Sequence, residues 1–592
     1  MKSFFKYFFA IILGGIVSAI VFLLLVVITI TAIAASGEGE VTTEKNSILH
    51  LDLGGQIVER SKDDSFGELL GSLSGKFEAK GLNQILESIK KAKRDPNING
   101  IYLQCGAIET GYATIEEIRN ALLDFKKSGK FVVSYSDVYA QKGYYLATAA
   151  DKVYLFKEGM LQFQGLNMEN TYFKHLFEKL GIEFLPFRHG KFKSGVESFC
   201  ADKMSDEDRI QRKELIDGIW SHITDKISES RGIEKSQIET FVNSNTMMSD
   251  NTLFLNAKLI DGLKYEDEVI EELKTRTKIS KDDKLATIEL KKYANVVVSD
   301  SSVKEVSMDK IAIIYAEGVI DGGNSKGIDS KELAKTIRNA REDKNIKAIV
   351  LRVNSPGGSA MGSDIIWREV VLAKKSKPLV VSMGDLAASG GYYISCVADT
   401  ILAQKATITG SVGIYAQIPN AKGLIEKVGV NVDEVSTHTG SDFLNSLSFM
   451  TRTWTIADKT IIQAYVDRGY NTFISKVAEG RKMSVSSVDD IAQGRVWTGI
   501  AAKQNKLVDG IGGIDDAILV AKNRAKLKSY RIVELPEQLG VLEQLMKDME
   551  SEAKFLVSFD LFGVNSQDLD FVKTIKNQDP LQARLPFDVA IY

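Results

Sequence analysis

The chain of 592 residues has few cysteines, few histidines and almost no net charge. Its three cysteines, Cys105, Cys200 and Cys396, are odd in number and far apart. That excludes a disulfide framework and any Cys-based metal spacing. The five histidines are scattered, without an HExxH-type pair, so no structural or catalytic metal is expected. A formal net charge of −3 gives no electrostatic footprint for a polyanion, and no nucleic-acid partner is expected. Long apolar runs are also scarce. Only one exists, "FFAIILGGIVSAIVFLLLVVITITAIAA" from Phe8 to Ala35.

That run carries no charge and, at ~1.5 Å per residue, is long enough to cross a ~30 Å hydrocarbon core with some tilt. Lys2 and Lys6 precede it, which puts residues 1–7 in the cytoplasm and the bulk of the chain on the far side. A cleaved signal peptide is the rival reading, because "AIAAS" has small residues. Its h-region would be only roughly 7–15 residues, so a retained anchor over 8–35 is expected. The polar stretch "SGEGEVTTEKN", residues 36–46, then reads as a linker.

The remaining length suits two to four domains, and the chain matches itself. "DPNINGIYLQ" (Asp95–Gln104) resembles "DKNIKAIVLR" (Asp343–Arg352) at a shift of 248 positions. The same shift lays "VVSYSDVYAQKGYYLATAAD" from Val132 onto "VVSMGDLAASGGYYISCVAD" from Val380. It also lays "AKLIDGL" from Ala257 onto "NKLVDGI" from Asn505. Upstream, "LDLGGQIVE" and "IYAEGVIDG" match at a larger shift, which an extra loop near residues 60–80 would explain. Such self-similarity signals a duplication. Within each copy, short β-rich runs ("GIYLQ", "AIVLRV") alternate with helical stretches ("TIEEIRNALLDFKKSG", "MGSDIIWREVVLAKKS"). This pattern predicts an α/β fold with βαβ units and a mainly parallel sheet. Sites in such sheets form at the carboxyl ends of strands, where "NSPGGS" (Asn354–Ser359) and "AASGG" (Ala387–Gly391) both fall.

The copies differ in chemistry. Ser389 falls on Gln141, and Pro356, Gly357 and Gly358 fall on Ile108, Glu109 and Thr110. A serine and a glycine turn needed only for packing would be needed in both copies. Ser389 is therefore a candidate nucleophile at a helix start, where free backbone N–H groups gather. The N–H groups of Gly390 and Gly358 are candidate oxyanion donors. The serine needs a base. His438 and His189 are two candidates. The other is a lysine held neutral by burial. No lysine lies between Lys427 and Lys459, whereas the corresponding stretch of the first copy, "FRHGKFKSGVESF" (Phe187–Phe199), has Lys191 and Lys193.

"RVNSPGGSA", "MGDLAASGGYYISCVAD", "TGSVGI" and "GKFKSGVESF" together resemble the long form of bacterial signal peptide peptidase, the protease IV family. The resemblance covers the chain from the anchor to about residue 535. It implies two tandem ClpP/crotonase-like repeats after one N-terminal transmembrane helix. The expected units are residues 47–300, supplying a catalytic lysine, and 301–535, supplying the serine. Residues 536–592 are expected to form a C-terminal extension, over which the resemblance gives no guide. By resemblance Ser389 is the nucleophile, Lys193 rather than Lys191 the general base and acid, Gly358 and Gly390 the oxyanion hole, and Ser411 a serine that orients the lysine. Phe163 takes the place of Ser411 in the first copy.

The resemblance further implies a serine endopeptidase of the bacterial inner membrane, with its catalytic part on the periplasmic or extracytoplasmic side. It would use no cofactor, act on signal-peptide remnants and apolar peptides, contact lipid through residues 8–35 and assemble as a homo-oligomer, often a tetramer. Two alternatives stay open from the residues alone: a Ser–His hydrolase on the same fold, and a non-catalytic membrane scaffold.

Overall fold

The structure is a computed structural model that describes residues 42–61, 79–244, 250–298, 307–322, 327–444, 446–537 and 581–585, with scattered positions between 7 and 21. Most of the expected anchor over 8–35 and most of the 60–80 loop lie outside the described residues. Among those described, no helix is long and apolar enough to cross a membrane.

Two parallel sheets repeat one plan. The first orders its strands Thr287–Glu289, Ser47–Asp52, Ile98–Gln104, Phe131–Tyr139, Lys152–Leu161 and Gly262–Leu263. In the second, Arg531–Leu535, Lys310–Glu317, Ile346–Ser355, Leu379–Ala388, Thr400–Ala403 and Gly510–Ile511 follow in the same order. Central strands such as Ile346–Ser355 are buried along almost their whole length, as expected where helices cover both faces. Helices Leu82–Arg94 and Tyr112–Lys126 correspond to Ser330–Glu342 and Ala360–Ser376.

The duplication reaches individual hydrogen bonds. Tyr144 donates its hydroxyl to the Leu259 carbonyl at 2.7 Å, and Tyr392 donates to that of Leu507 at 2.8 Å. Val153 N–H donates to Asp261 and Ile401 N–H to Asp509, both at 2.8 Å. Both pairs of contacts recur at the 248-residue shift found in the sequence.

The two copies are joined by buried polar groups. Arg352, 1 % exposed, donates to Glu59 and Glu117 of the first copy, each at 2.7 Å. Burial raises the Glu117 carboxyl to about 6 despite the arginine. A buried cation bonded to two carboxylates is satisfied only in this docked arrangement, so it fixes how the copies meet. Asp385, four residues before Ser389, accepts from the N–H groups of Gly111 (3.0 Å) and Thr114 (2.9 Å) and from the Thr114 hydroxyl (2.6 Å). It thus caps helix Tyr112–Lys126 of the first copy from the second.

A further sheet crosses the boundary. Strand Glu183–His189 of the first copy runs antiparallel to Ile414–Asn420 of the second, with His189 opposite Ile414. On the other edge of Ile414–Asn420 lies Leu581–Arg584, itself paired with Gly357–Ser359. The "SPGG" segment therefore continues from its turn into a short strand.

Candidate active site

Antiparallel register carries the lysine to the serine. With His189 opposite Ile414, the chain leaves both strands at the same end. Lys193, four residues past His189, there meets Ser411, three residues before Ile414. Lys193 Nζ lies 2.9 Å from Ser389 Oγ, 2.9 Å from Ser411 Oγ and 3.1 Å from the Ser411 carbonyl oxygen. Lys193, Ser389 and Ser411 are all fully buried. Burial pushes the Lys193 ammonium well below its ordinary value, and no carboxylate opposes the shift. Glu197, the acidic residue nearest in sequence, is engaged elsewhere, accepting from Arg188 at 2.8 Å and from Ser205 N–H at 3.1 Å.

The sequence around Lys193 explains its confinement. Gly190 (φ 101°) turns the chain out of the strand, and Lys193 N–H closes the turn on the Gly190 carbonyl at 3.1 Å. The lysine stem passes two glycines. A Cβ on Gly494 would meet Lys193 Cβ at 2.6 Å, and one on Gly413 would meet Lys193 Cδ at 3.2 Å. From helix Asp206–Arg231, Asp208 accepts the Ser194 hydroxyl at 2.6 Å, and Gln211 donates to the Phe192 carbonyl at 3.0 Å. These two residues hold the lysine loop from behind. Sequence reading missed both, and also Gly494, because their roles depend on contacts between distant segments.

Ser389 is the residue immediately before helix Gly390–Ser395, with φ 54° and ψ −112°. Its N–H donates to the Gly410 carbonyl at 2.8 Å. Ser411 also has positive φ, 50°. A non-glycine residue in such a region costs of order 1–3 kcal/mol and persists only where its surroundings impose it. The first-copy counterparts Gln141 and Phe163 are not among the described residues with positive φ. Gln141 instead closes its own position, donating to Gly165 O at 2.9 Å and accepting from Gly165 N–H at 3.0 Å. Of these four positions, only the two serines that touch the lysine have positive φ.

The two glycine turns converge beside Ser389. A Cβ on Gly357 (φ 98°) would meet Gly390 N at 2.6 Å, and one on Gly358 (φ 155°) would meet Ile320 O at 2.1 Å. Only glycine allows the backbones this close. The other candidates lie apart from this cluster. Lys191 is exposed, its amine over the Phe192 ring. His438 is exposed and bonded to the neighbouring Thr437 hydroxyl. His189 contacts Asp467 at 2.7 Å and stacks on Tyr470. Among the described residues no cluster of His, Cys, Asp and Glu could hold a metal.

A serine hydroxyl against a buried amine with no carboxylate partner is the equipment of a hydrolase, and comparison with known proteins agrees. The model of peptidase family S49 matches twice, over residues 124–280 and 372–528. The chain belongs to peptidase family S49. It is 34 % identical to "Protease 4" of Salmonella typhi over 555 residues, covering 91 % of this chain and 88 % of that protein. It is also 34 % identical to "Serine protease SPPA, chloroplastic" of Arabidopsis thaliana, over 86 % of this chain and 74 % of the relative. A shorter relative, "Putative signal peptide peptidase SppA" of Enterococcus faecium, is 32 % identical over 41 % of this chain and 72 % of its own length. Among solved structures, a ClpP1 mutant of Listeria monocytogenes aligns over 35 % of this chain and 94 % of its own at 16 % identity. Its TM-score of 0.24 is too low to bear on the fold. As an S49 member of the protease 4 type, the chain is a serine peptidase, built from two tandem S49 regions.

Proposed function

We propose that this S49 peptidase is a membrane-anchored endopeptidase that degrades cleaved signal peptides and other apolar peptides, using a Ser389–Lys193 dyad. The observation that carries the dyad is Lys193 Nζ held 2.9 Å from both Ser389 Oγ and Ser411 Oγ in a fully buried setting. A neutral Lys193 takes the Ser389 proton as Oγ attacks the peptide carbonyl, then gives it to the departing amine. Water, deprotonated by the same lysine, hydrolyses the acyl-enzyme. Ser411 accepts from the amine and aims its lone pair at Ser389. The N–H groups of Gly358 and Gly390 face the developing oxyanion. The apolar Phe8–Ala35 run supports a single anchor, with the N-terminus cytoplasmic and the catalytic part outside the cytoplasm. A homo-oligomer, tetrameric by family resemblance, is the assembly expected.

A serine-reactive phosphonate tests the reading directly. It is expected to add its mass to the peptide containing Ser389, and the adduct should be lost in Lys193→Ala while His189→Ala/His438→Ala keeps it. Labelling that survives loss of Lys193, or that lands elsewhere, removes the dyad. The oxyanion assignment is checked by Gly358→Ala. Its Cβ would press on Ile320 O at 2.1 Å, so the turn must move and its N–H with it. Loss of one oxyanion donor costs about 2.7–4 kcal/mol, or about 10²–10³ in kcat. A variant with kcat near wild type would show that this N–H does not serve the reaction.

A further inference from the structure

One buried amide braces the lysine loop from helix Asp206–Arg231. Gln211 is 1 % exposed. Its Nε2 donates to the Phe192 carbonyl at 3.0 Å and to the Ser194 hydroxyl at 3.2 Å, so it grips the residues on either side of Lys193. Its Oε1 accepts from Val496 N–H of the second copy at 3.4 Å. Residues 493–496 in turn touch both the lysine loop and the Ser411 segment. Gln493 O accepts Phe192 N–H at 2.9 Å, Gly494 N–H donates to Val412 O at 2.9 Å, and Arg495 O accepts Ser411 N–H at 2.7 Å. One short segment thus carries the loop on one side and Ser411 on the other, and Gln211 ties its end back to the loop. The duplication shows that packing does not ask for an amide here. The equivalent helix, Ile456–Arg481, also has 26 residues. Its sixth residue, the counterpart of Gln211, is Ile461, 55 % exposed. Its seventh, the buried Ile462, stands where the first copy has Arg212.

From this we infer that Gln211 is a positioning residue for the acid–base step: it locks the lysine loop of the first copy to the segment of the second that holds Ser411, and so keeps the Lys193 amine aligned and sealed from water. The inference rests on the dyad reading, and it adds a residue that touches neither Ser389 nor the lysine amine. An apolar side chain at this place would take a donor from the buried Phe192 carbonyl. A buried polar group that loses its partner is costly, so the loop turns toward water. The charged groups around the loop are spent on one another. Asp208 pairs with Arg212 at 2.8 Å, Glu197 with Arg188 at 2.8 Å, Asp467 with His189 at 2.7 Å, and Glu214 with Arg495. The Lys191 amine lies over the Phe192 ring at 5.3 Å. Burial alone therefore acts on Lys193, and an amine reached by water regains its proton. Loss of Gln211 shows as a protonated base, not as a missing one.

The test is a pH profile of kcat and KM for a fluorogenic apolar peptide, taken on the full-length wild type, Gln211→Met and Ser194→Ala. Methionine keeps the length of the side chain and none of its hydrogen bonds. Ser194→Ala removes the contact on one side of Lys193 together with the Ser194–Asp208 bond. In Gln211→Met the rising limb should move about one pH unit toward alkali, a loss of about tenfold at any pH on the limb. Above the limb the rate should return close to wild type. The loss should lie in kcat, with KM unchanged. Ser194→Ala should move the limb in the same direction by less. A loss of equal size at every pH, a loss carried by KM, or a limb that coincides with wild type in both variants overturns the inference. If Gln211→Met shows no cooperative melt, the limb of Ser194→Ala decides alone. A wild type without any rising limb removes Lys193 as the base, and the inference falls with the dyad. A limb present in wild type and unmoved in the variants leaves the dyad standing and removes Gln211.

Discussion

Ser389→Ala is expected to abolish peptide hydrolysis while leaving the fold and assembly intact. In serine peptidases, removing the nucleophile costs about 10⁶ in kcat, and no other described hydroxyl apart from Ser411 bonds the Lys193 amine. The change deletes one atom from a fully buried site. Alanine carries the same Cβ, so the φ of 54° at this position costs it about what it costs serine. Glycine is different. Without a Cβ it adopts positive φ freely, so Ser389→Gly should be equally inactive yet melt higher than Ser389→Ala. Full turnover in either variant would remove Ser389 from the mechanism. A glycine variant that melts lower than the alanine variant would show that the residue's backbone is not under strain. The pair of variants therefore reads catalysis and strain separately.

The strain also shows why so much of the site could be read without coordinates. Where a function was built once in a duplicated fold, the unused copy reveals what packing alone requires. Gln141 and Phe163 occupy the places of Ser389 and Ser411 without positive φ, and Gln141 closes its own hydrogen bonds on Gly165. The alternation of strands and helices, the mainly parallel sheet and the duplication followed from periodicity and the 248-residue shift. What the sequence could not supply was contact between distant segments. That Lys193 reaches Ser411 depends on His189 pairing with Ile414. That Arg352 is needed depends on Glu59 and Glu117 meeting it from the other copy. The segment "LQARL" gives no warning at all. Its place as a strand depends on the two edges that flank it.

Lys193→Arg is expected to be as inactive as Lys193→Ala, although it keeps the positive charge. An ordinary lysine has pKa ~10.4 and is almost wholly protonated near neutral pH. Lys193 is driven well below that by burial, without a carboxylate to hold the charge. A guanidinium cannot lose its proton in a protein, so arginine offers Ser389 no base. Lys191→Arg, at an exposed position, should keep full activity. In the wild-type protein kcat/KM should rise with pH through the depressed pKa of Lys193, since the neutral amine is the active form. The same shift has a stability consequence of definite sign. Between the folded and unfolded pKa values the unfolded chain holds a proton that the folded chain does not, so stability rises with pH across that window. Lys193→Met, close in shape and never charged, removes the effect. It should melt higher than wild type near neutral pH, and its advantage should shrink as pH climbs toward 10. Activity that is flat across pH, a working Lys193→Arg, or a methionine variant no more stable at pH 7 than at pH 10 would each mean that Lys193 is not the buried neutral base. Activity surviving every Lys193 change but lost in His189→Ala/His438→Ala would return the role to a histidine.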